Sequence, residues 1–232
     1  MRNRLISFLW LPLMLLPLMA TAQDVDPQAY YVDDETNAQV SSNISNAQAP
    51  LEVTFRANPT GMENYAPSYE WHFRKKTNNN YEELFVRYEE ETQYTFRESG
   101  TYSVILKTKL DNQGTELEEK EIVITIVESK LDFPNAFSPN GDGINDTFKA
   151  KEGYKSIVKF KAIILNRWGQ KLYEWNSPSG EWDGTFKGKP VKDGVYFLHV
   201  NAKGADGAIY EFRKDINLLR GFTEGGASSS TH

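Results

Sequence analysis

"LEVTFRA", residues 51–57, decides the class of fold. Leu51, Val53 and Phe55 alternate with Glu52, Thr54 and Arg56. A period of two places one set on each face of an extended strand. The pattern returns in "SYEWHF", residues 68–73, where Tyr69, Trp71 and Phe73 alternate with Glu70 and His72. "YEELFVRY", "TQYTF", "GTYSVILKTK" and "EIVITIV" follow, with "NPTG", "TNNN", "ESG" and "DNQG" as turn punctuation. Short strands at this spacing, with no helical period, predict an antiparallel β-sandwich over residues 50–130.

The second half of the chain follows the same logic. "IVKFKAIIL" is a long apolar strand, and "QKLYEW" is its hairpin partner across "NRWG". "GVYFLHVNA" and "IYEFRKDINLL" flank a second hairpin at "KGADG". In "GVYFLHV", Tyr196, Leu198 and Val200 share one face, and Val195, Phe197 and His199 share the other. Both faces are largely apolar, which predicts a central strand. The expected fold is all-β, two tandem Ig-like antiparallel β-sandwich domains.

The ends read differently. Arg2 and Arg4 precede an apolar run from Leu5 to Met19 that is broken by Pro12 and Pro17. Ala20-Thr21-Ala22 then gives a small-x-small cleavage signal, so residues 1–22 read as a secretory signal peptide. The run is too short for a comfortable membrane span. No cysteine follows it, which argues against a lipid anchor, and a cysteine-free exported chain favours a bacterial source. Residues 23–49 are rich in Asp, Asn, Gln and Ser, and are expected to be a flexible lead-in with an edge strand around Tyr30–Val32. The tail, residues 221–232, has a flexible composition.

Charge divides the chain in the same places. Residues 50–130 carry ten Lys+Arg against fifteen Asp+Glu, a balance of −5. Residues 131–220 carry fourteen against eleven, a balance of +3. Residues 23–49 add five acids and no base. Two domains of opposite sign follow. With an acidic chain overall and no basic stripe interleaved with aromatics, nucleic acid is not an expected partner.

Four motifs occur in order across residues 131–220: "FPNAFSPNGDGINDTFK", "FKAIILNRWGQKLYE", "GEWDGTFKGKPVKDGVYFLHV" and "INLLR". Together they resemble the gliding-motility-associated C-terminal domain of Bacteroidota, the type B sorting domain of the type IX secretion system. The resemblance implies an Ig-like sandwich that directs export through the outer membrane. It also implies a PorP/SprF-type outer-membrane protein as partner, alongside other type IX components. The chain runs twelve residues past Arg220, whereas members of that family usually stop near "LLR". "YEWHF" and "ESGTYSVILK" resemble a PKD/Ig-like domain, although "RKKTNNN", residues 74–80, stands where that family has a "GDG"-like turn.

Candidate site residues cluster in these motifs. Ser138, Asn140, Asp142, the Ile144 carbonyl and Asp146 fall at alternating positions, like the early ligands of a calcium loop. The twelfth position is Lys149, so a helix-loop-helix calcium site is excluded. Turn chemistry is the favoured reading, because Asn-Gly and Asp-Gly readily adopt left-handed conformations. A structural calcium ion on Asn140, Asp142 and Asp146 stays open as the alternative, and no other cofactor is expected. Trp168, Trp175 and Trp182 form either a sugar-stacking platform or, the favoured reading, core and hairpin packing. Arg167 is expected to pair with a carboxylate of the "GDGIND" loop. The residues expected at a partner-recognition surface are Asn140, Asp142, Asn145, Asp146, Arg167, Trp168, Trp182 and Asp183.

Catalysis has little support in the residues. There is no cysteine nucleophile, and the histidines are His72, His199 and His232, none with an acid at a characteristic spacing. Hydrolase and phosphate-binding motifs are missing. The expected function is that of an exported, non-enzymatic envelope protein. It would be outer membrane-associated, cell-surface or secreted, and recognised by the type IX system, with a place as an accessory component of that machinery. The alternative is a surface adhesin or glycan-binding module exported by the same route.

Overall fold

The computed structural model describes residues 22–33, 36–110 and 114–221. The signal-peptide reading of residues 1–22 and the tail from 222 onward therefore lie almost wholly outside the described residues.

Two apolar cores organise the chain, one built mainly from residues 25–126 and the other from residues 131–218. The first lies between two sheets. The strands in chain order are β1 (Gln28–Asp33), β2 (Thr36–Ser41), β3 (Asn43–Ala47), β4 (Leu51–Arg56), β5 (Ser68–Thr77), β6 (Asn80–Arg87), β7 (Glu91–Phe96), β8 (Gly100–Lys109) and β9 (Lys120–Ile126). One sheet has the order β2-β1-β4-β7 and the other β3-β9-β8-β5-β6. The alternation read in the sequence is the alternation of burial: Leu51, Val53 and Phe55 point inward, and so do Tyr69, Trp71 and Phe73. Phe55 sits at the centre, with ring centroids 5.9 Å from Trp71 and 5.3 Å from Phe73. Trp71 satisfies its one polar atom by donating its indole N–H to the Glu89 carbonyl at 2.9 Å.

The flexible lead-in expected at residues 23–49 is not found. Val25, Ala29 and Ile44 are buried in this core. β1 lies between β2 and β4, so the Tyr30–Val32 segment is interior to its sheet rather than an edge. β3 runs parallel to β9, pairing Ile44 with Ile124, and the Asn43 side-chain oxygen accepts the Val123 amide at 2.7 Å. Apolar residues are too sparse in this segment for a period to show, and pairing with β4 and β9 supplies the order that the local sequence does not.

The second core is covered by one sheet: β10 (Ala136–Phe137), β11 (Ile157–Leu165), β12 (Lys171–Trp175), β13 (Gly194–Gly204) and β14 (Ile209–Leu218), in the order β10-β14-β13-β11-β12. The opposite layer is made of two short ladders, Phe148–Lys149 with Glu181–Trp182 and Thr185–Phe186 with Lys189–Pro190. Both expected hairpins form. β13 is the middle strand, as predicted, but it is buried on one face only. Tyr196, Leu198 and Val200 point into the core, whereas Val195 on the other face is 47% exposed. The fold is all-β, with Ig-like sandwiches in tandem, and contains no helix among the described residues.

Candidate functional site

The register of the second sheet brings the sequence motifs to one end. β11 starts opposite Gly204 and finishes opposite Phe197, while β13 starts opposite Leu218. β10 also pairs with β14 at Leu218. The loop after β10, the "NRWG" turn after β11, the segment before β13 and the end of β14 therefore share the loop end of the sandwich. The linker from the first domain enters at the opposite end, where Lys130 bridges Lys155.

The loop of residues 138–146 is organised around one carboxylate. Asp146 Oδ1 accepts the amides of Asn140 at 3.0 Å and Gly141 at 2.7 Å, and Oδ2 accepts the amide of Gly143 at 2.8 Å. These backbone donors, Gly141 and Gly143 first, hold the Asp146 carboxyl below its ordinary pKa. A second layer repeats the device: Asp142 Oδ1 accepts the Ile144 amide, and Asn140 Oδ1 accepts the Asp142 amide. Gly141, Gly143 and Asn145 adopt positive φ of 81°, 85° and 53°, the conformations that Gly and Asn tolerate best. In this geometry Asp142 and Asp146 turn their oxygens onto amides of their own loop. Among the described residues, no three acidic or histidine side chains gather around a point that could hold a metal ion. Asn140, Asp142 and Asp146, the positions held open for a structural calcium ion, are engaged in this turn network, the chemistry favoured from the sequence.

The "NRWG" turn is held by Asn166, whose side-chain oxygen accepts the amides of Trp168 and Gln170, both at 3.0 Å. Gly169, at φ 78°, closes it by donating to the Asn166 carbonyl. Trp168 is thereby presented at the tip, 75% exposed. The Arg167 guanidinium lies over the Trp168 ring, 4.4 Å from its centroid. The ion pair expected between Arg167 and the "GDGIND" carboxylates is not among the ion pairs of the described residues; the guanidinium lies on the Trp168 ring instead.

The other tryptophans belong to the interior. Trp182 is fully buried against Phe137 and Tyr196, each 5.4 Å away between centroids, and its indole N–H donates to the Thr185 carbonyl. Trp175 is buried beside Phe160. The three rings form no common platform, and Trp182 is removed from the set of surface recognition residues. Asp183 caps its own turn by accepting the Thr185 amide at 2.9 Å.

Arg220 was missed by sequence reasoning. Its guanidinium donates to the Val191 carbonyl, to Asp193 Oδ1 at 3.1 Å and to the Gly184 carbonyl at 3.0 Å. Its own amide donates to Asp193 Oδ2. One side chain after the last strand thus ties two loops together. The "LLR" and "KDG" motifs contain both partners, but their distance in sequence hides the contact.

The histidines do not converge. His72 lies on β5, with Nδ1 2.7 Å from Glu83 and Nε2 3.5 Å from Glu70. His199 stands in the other domain, on the outer face of β13, opposite Ile163 and Arg213.

No curated protein matches the chain. Among solved structures, the chain is similar at 15% identity to SGBP-B of the Bacteroides ovatus mixed-linkage glucan utilization locus, covering 76% of this chain and 42% of that one with a TM-score of 0.25. It is similar at 11% identity to dimeric latent PorU from Porphyromonas gingivalis, covering 87% and 20%, with a TM-score of 0.27. A third similarity is to the fibronectin(III)-like modules of Clostridium thermocellum CbhA, at 14% identity, 76% and 86% coverage and a TM-score of 0.21. The chain spans less than half the length of the first two, and likenesses at this level carry no functional argument. The sequence of the second domain is more informative, since residues 131–212 match the family model described as the CHU_C Type IX secretion signal domain. The "GDGIND", "NRWG" and "KDG" motifs that the loop end gathers all lie within the stretch so matched.

Proposed function

We propose that this protein is an exported, non-enzymatic component of the cell envelope. Its loop end docks onto a PorP/SprF-type outer-membrane protein, and the protein acts as an accessory part of the type IX apparatus. The observation that carries this reading is the family match over residues 131–212. The geometry supports it. An exposed Trp168 with Arg167 stacked on it has the composition of an interface anchor. The preordered loop of residues 138–146 stands at the same end, so binding it costs little ordering entropy. Asn140, Asp142, Asn145, Asp146 and Asp183 are among the polar residues of that end.

The test is capture from detergent-solubilised outer membranes of the source bacterium, using the purified mature chain as bait. Recovery of a barrel of this type by the parent protein, and its loss with Trp168→Ala, is the expected result. No barrel with the parent protein, under conditions where the bait stays folded, overturns the reading. The three-tryptophan sugar platform is not formed, because Trp175 and Trp182 are buried.

A further inference from the structure

The segment joining the two sandwiches has the wrong chemistry for a tether. Along residues 127–130, the Val127 amide donates to the Ala47 carbonyl at 2.9 Å, and Lys130 and Lys155 exchange a pair of backbone bonds at 3.0 and 2.9 Å. Ser129 donates its hydroxyl to Asp206 Oδ1 at 2.6 Å and its amide to Oδ2 at 3.3 Å, and its hydroxyl oxygen lies 2.8 Å from the Tyr210 hydroxyl. A flexible linker leaves such groups to water.

The hairpin between β13 and β14 reaches across the same boundary. Ala205, at its tip, is buried and belongs to the apolar core of the first domain. Val158, from β11, packs against that core as well. The Ser99 amide donates to the Ala205 carbonyl at 3.0 Å, and the Ala205 amide to the Ser156 carbonyl at 2.9 Å. Ser156, itself buried, accepts the Ala49 amide on its hydroxyl at 3.2 Å. Gly204 explains how the parts come so close. A Cβ there would stand 1.9 Å from Ser129 Oγ and 2.4 Å from Ser129 Cβ, so no other residue fits. Burial works against ionised Asp206, but hydrogen bonds from Ser129 and the Ala208 amide prevail and hold its carboxyl below the ordinary value.

We infer that the first sandwich is a fixed mount for the secretion signal domain, with the tip of the 204–208 hairpin seated as a plug in its end. The default for tandem domains is relative motion. Here the linker amides and the hairpin tip are both bound, and a buried alanine supplies apolar contact where a mobile junction would be wet. The inference goes beyond the docking role of the loop end. It gives the first domain a task of its own, to hold that end at a set distance and orientation.

The test needs no partner, so its failure is distinct from failure of the docking reading. The chain has no cysteine, so Tyr88→Cys and Trp168→Cys, both highly exposed positions in different domains, give two specific spin-label sites. Pulsed electron paramagnetic resonance on the otherwise unaltered mature chain should show a single narrow distance peak. Gly204→Val should abolish that narrow peak. Ser129→Ala combined with Asp206→Ala, which leaves both cores untouched, should broaden it with the circular dichroism spectrum unchanged, and decides the matter if Gly204→Val does not fold. A broad distribution in the parent overturns the inference. So does a narrow peak that survives the Ser129/Asp206 double variant.

Discussion

Asp146 shows how much of a loop can hang on one carboxylate. Its oxygens hold three amides, so Asp146→Ala should speed amide hydrogen exchange at Asn140, Gly141 and Gly143 while leaving β13 and β14 protected. Because the folded-state pKa is depressed, the ordering that Asp146 provides is present above the usual carboxylate value of roughly 3.9. It is lost as pH falls through the lower folded value, and an NMR titration of the three amides should show it. Gly184 is the second sensitive position. It sits at φ 75°, and a Cβ would meet Arg220 and Pro139 at 3.1 Å and Leu218 at 3.2 Å. Gly184→Ala should therefore destabilise by more than about 1 kcal/mol, read from urea unfolding. The Asn-Gly and Asp-Gly turns were legible because positive φ is a local demand of the chain. The acceptor role of Asp146 and the tie made by Arg220 were not, because both depend on groups that only the folded loops bring near.

Among the strands, legibility followed amphipathic contrast. β4 and β5 alternate apolar and polar residues over six positions, and the structure buries their apolar sets as read. Residues 23–49 carry the opposite lesson: Ile44 is buried, but its neighbours are Asn43 and Ser45, and only pairing with a distant strand reveals the role. Ile44→Ala should cost about 2–5 kcal/mol, as for a core residue. A change near zero in chemical unfolding would show that β3 is not part of the sandwich. Trp182→Ala should cost about 3–5 kcal/mol by the same measurement, since it empties a site between Phe137 and Tyr196 and leaves the Thr185 carbonyl without its donor.

Across the assembled molecule, stability and recognition should separate. Trp168 is exposed at a turn that Asn166 holds through backbone amides, so Trp168→Ala should leave the melting temperature unchanged while abolishing capture of outer-membrane partner. Asn166→Ala should weaken capture less, through a looser turn; if it leaves capture untouched, presentation of the ring by this turn has no part in binding. The sequence disclosed two sandwiches and the motifs of the second, because each is written in contiguous residues. It did not disclose that the two are joined through Ala205, Ser129 and Ser156, whose small side chains carry no signal outside the fold. The paired strands β13 and β14 run from the loop end to that junction, Gly194 facing Leu218 at one extreme and Lys203 facing Ile209 at the other. A pull applied at the loops is therefore carried lengthwise by the backbones of both strands. Such a span passes the load to the 204–208 hairpin tip, and through Ala205 and Ser99 to the first sandwich.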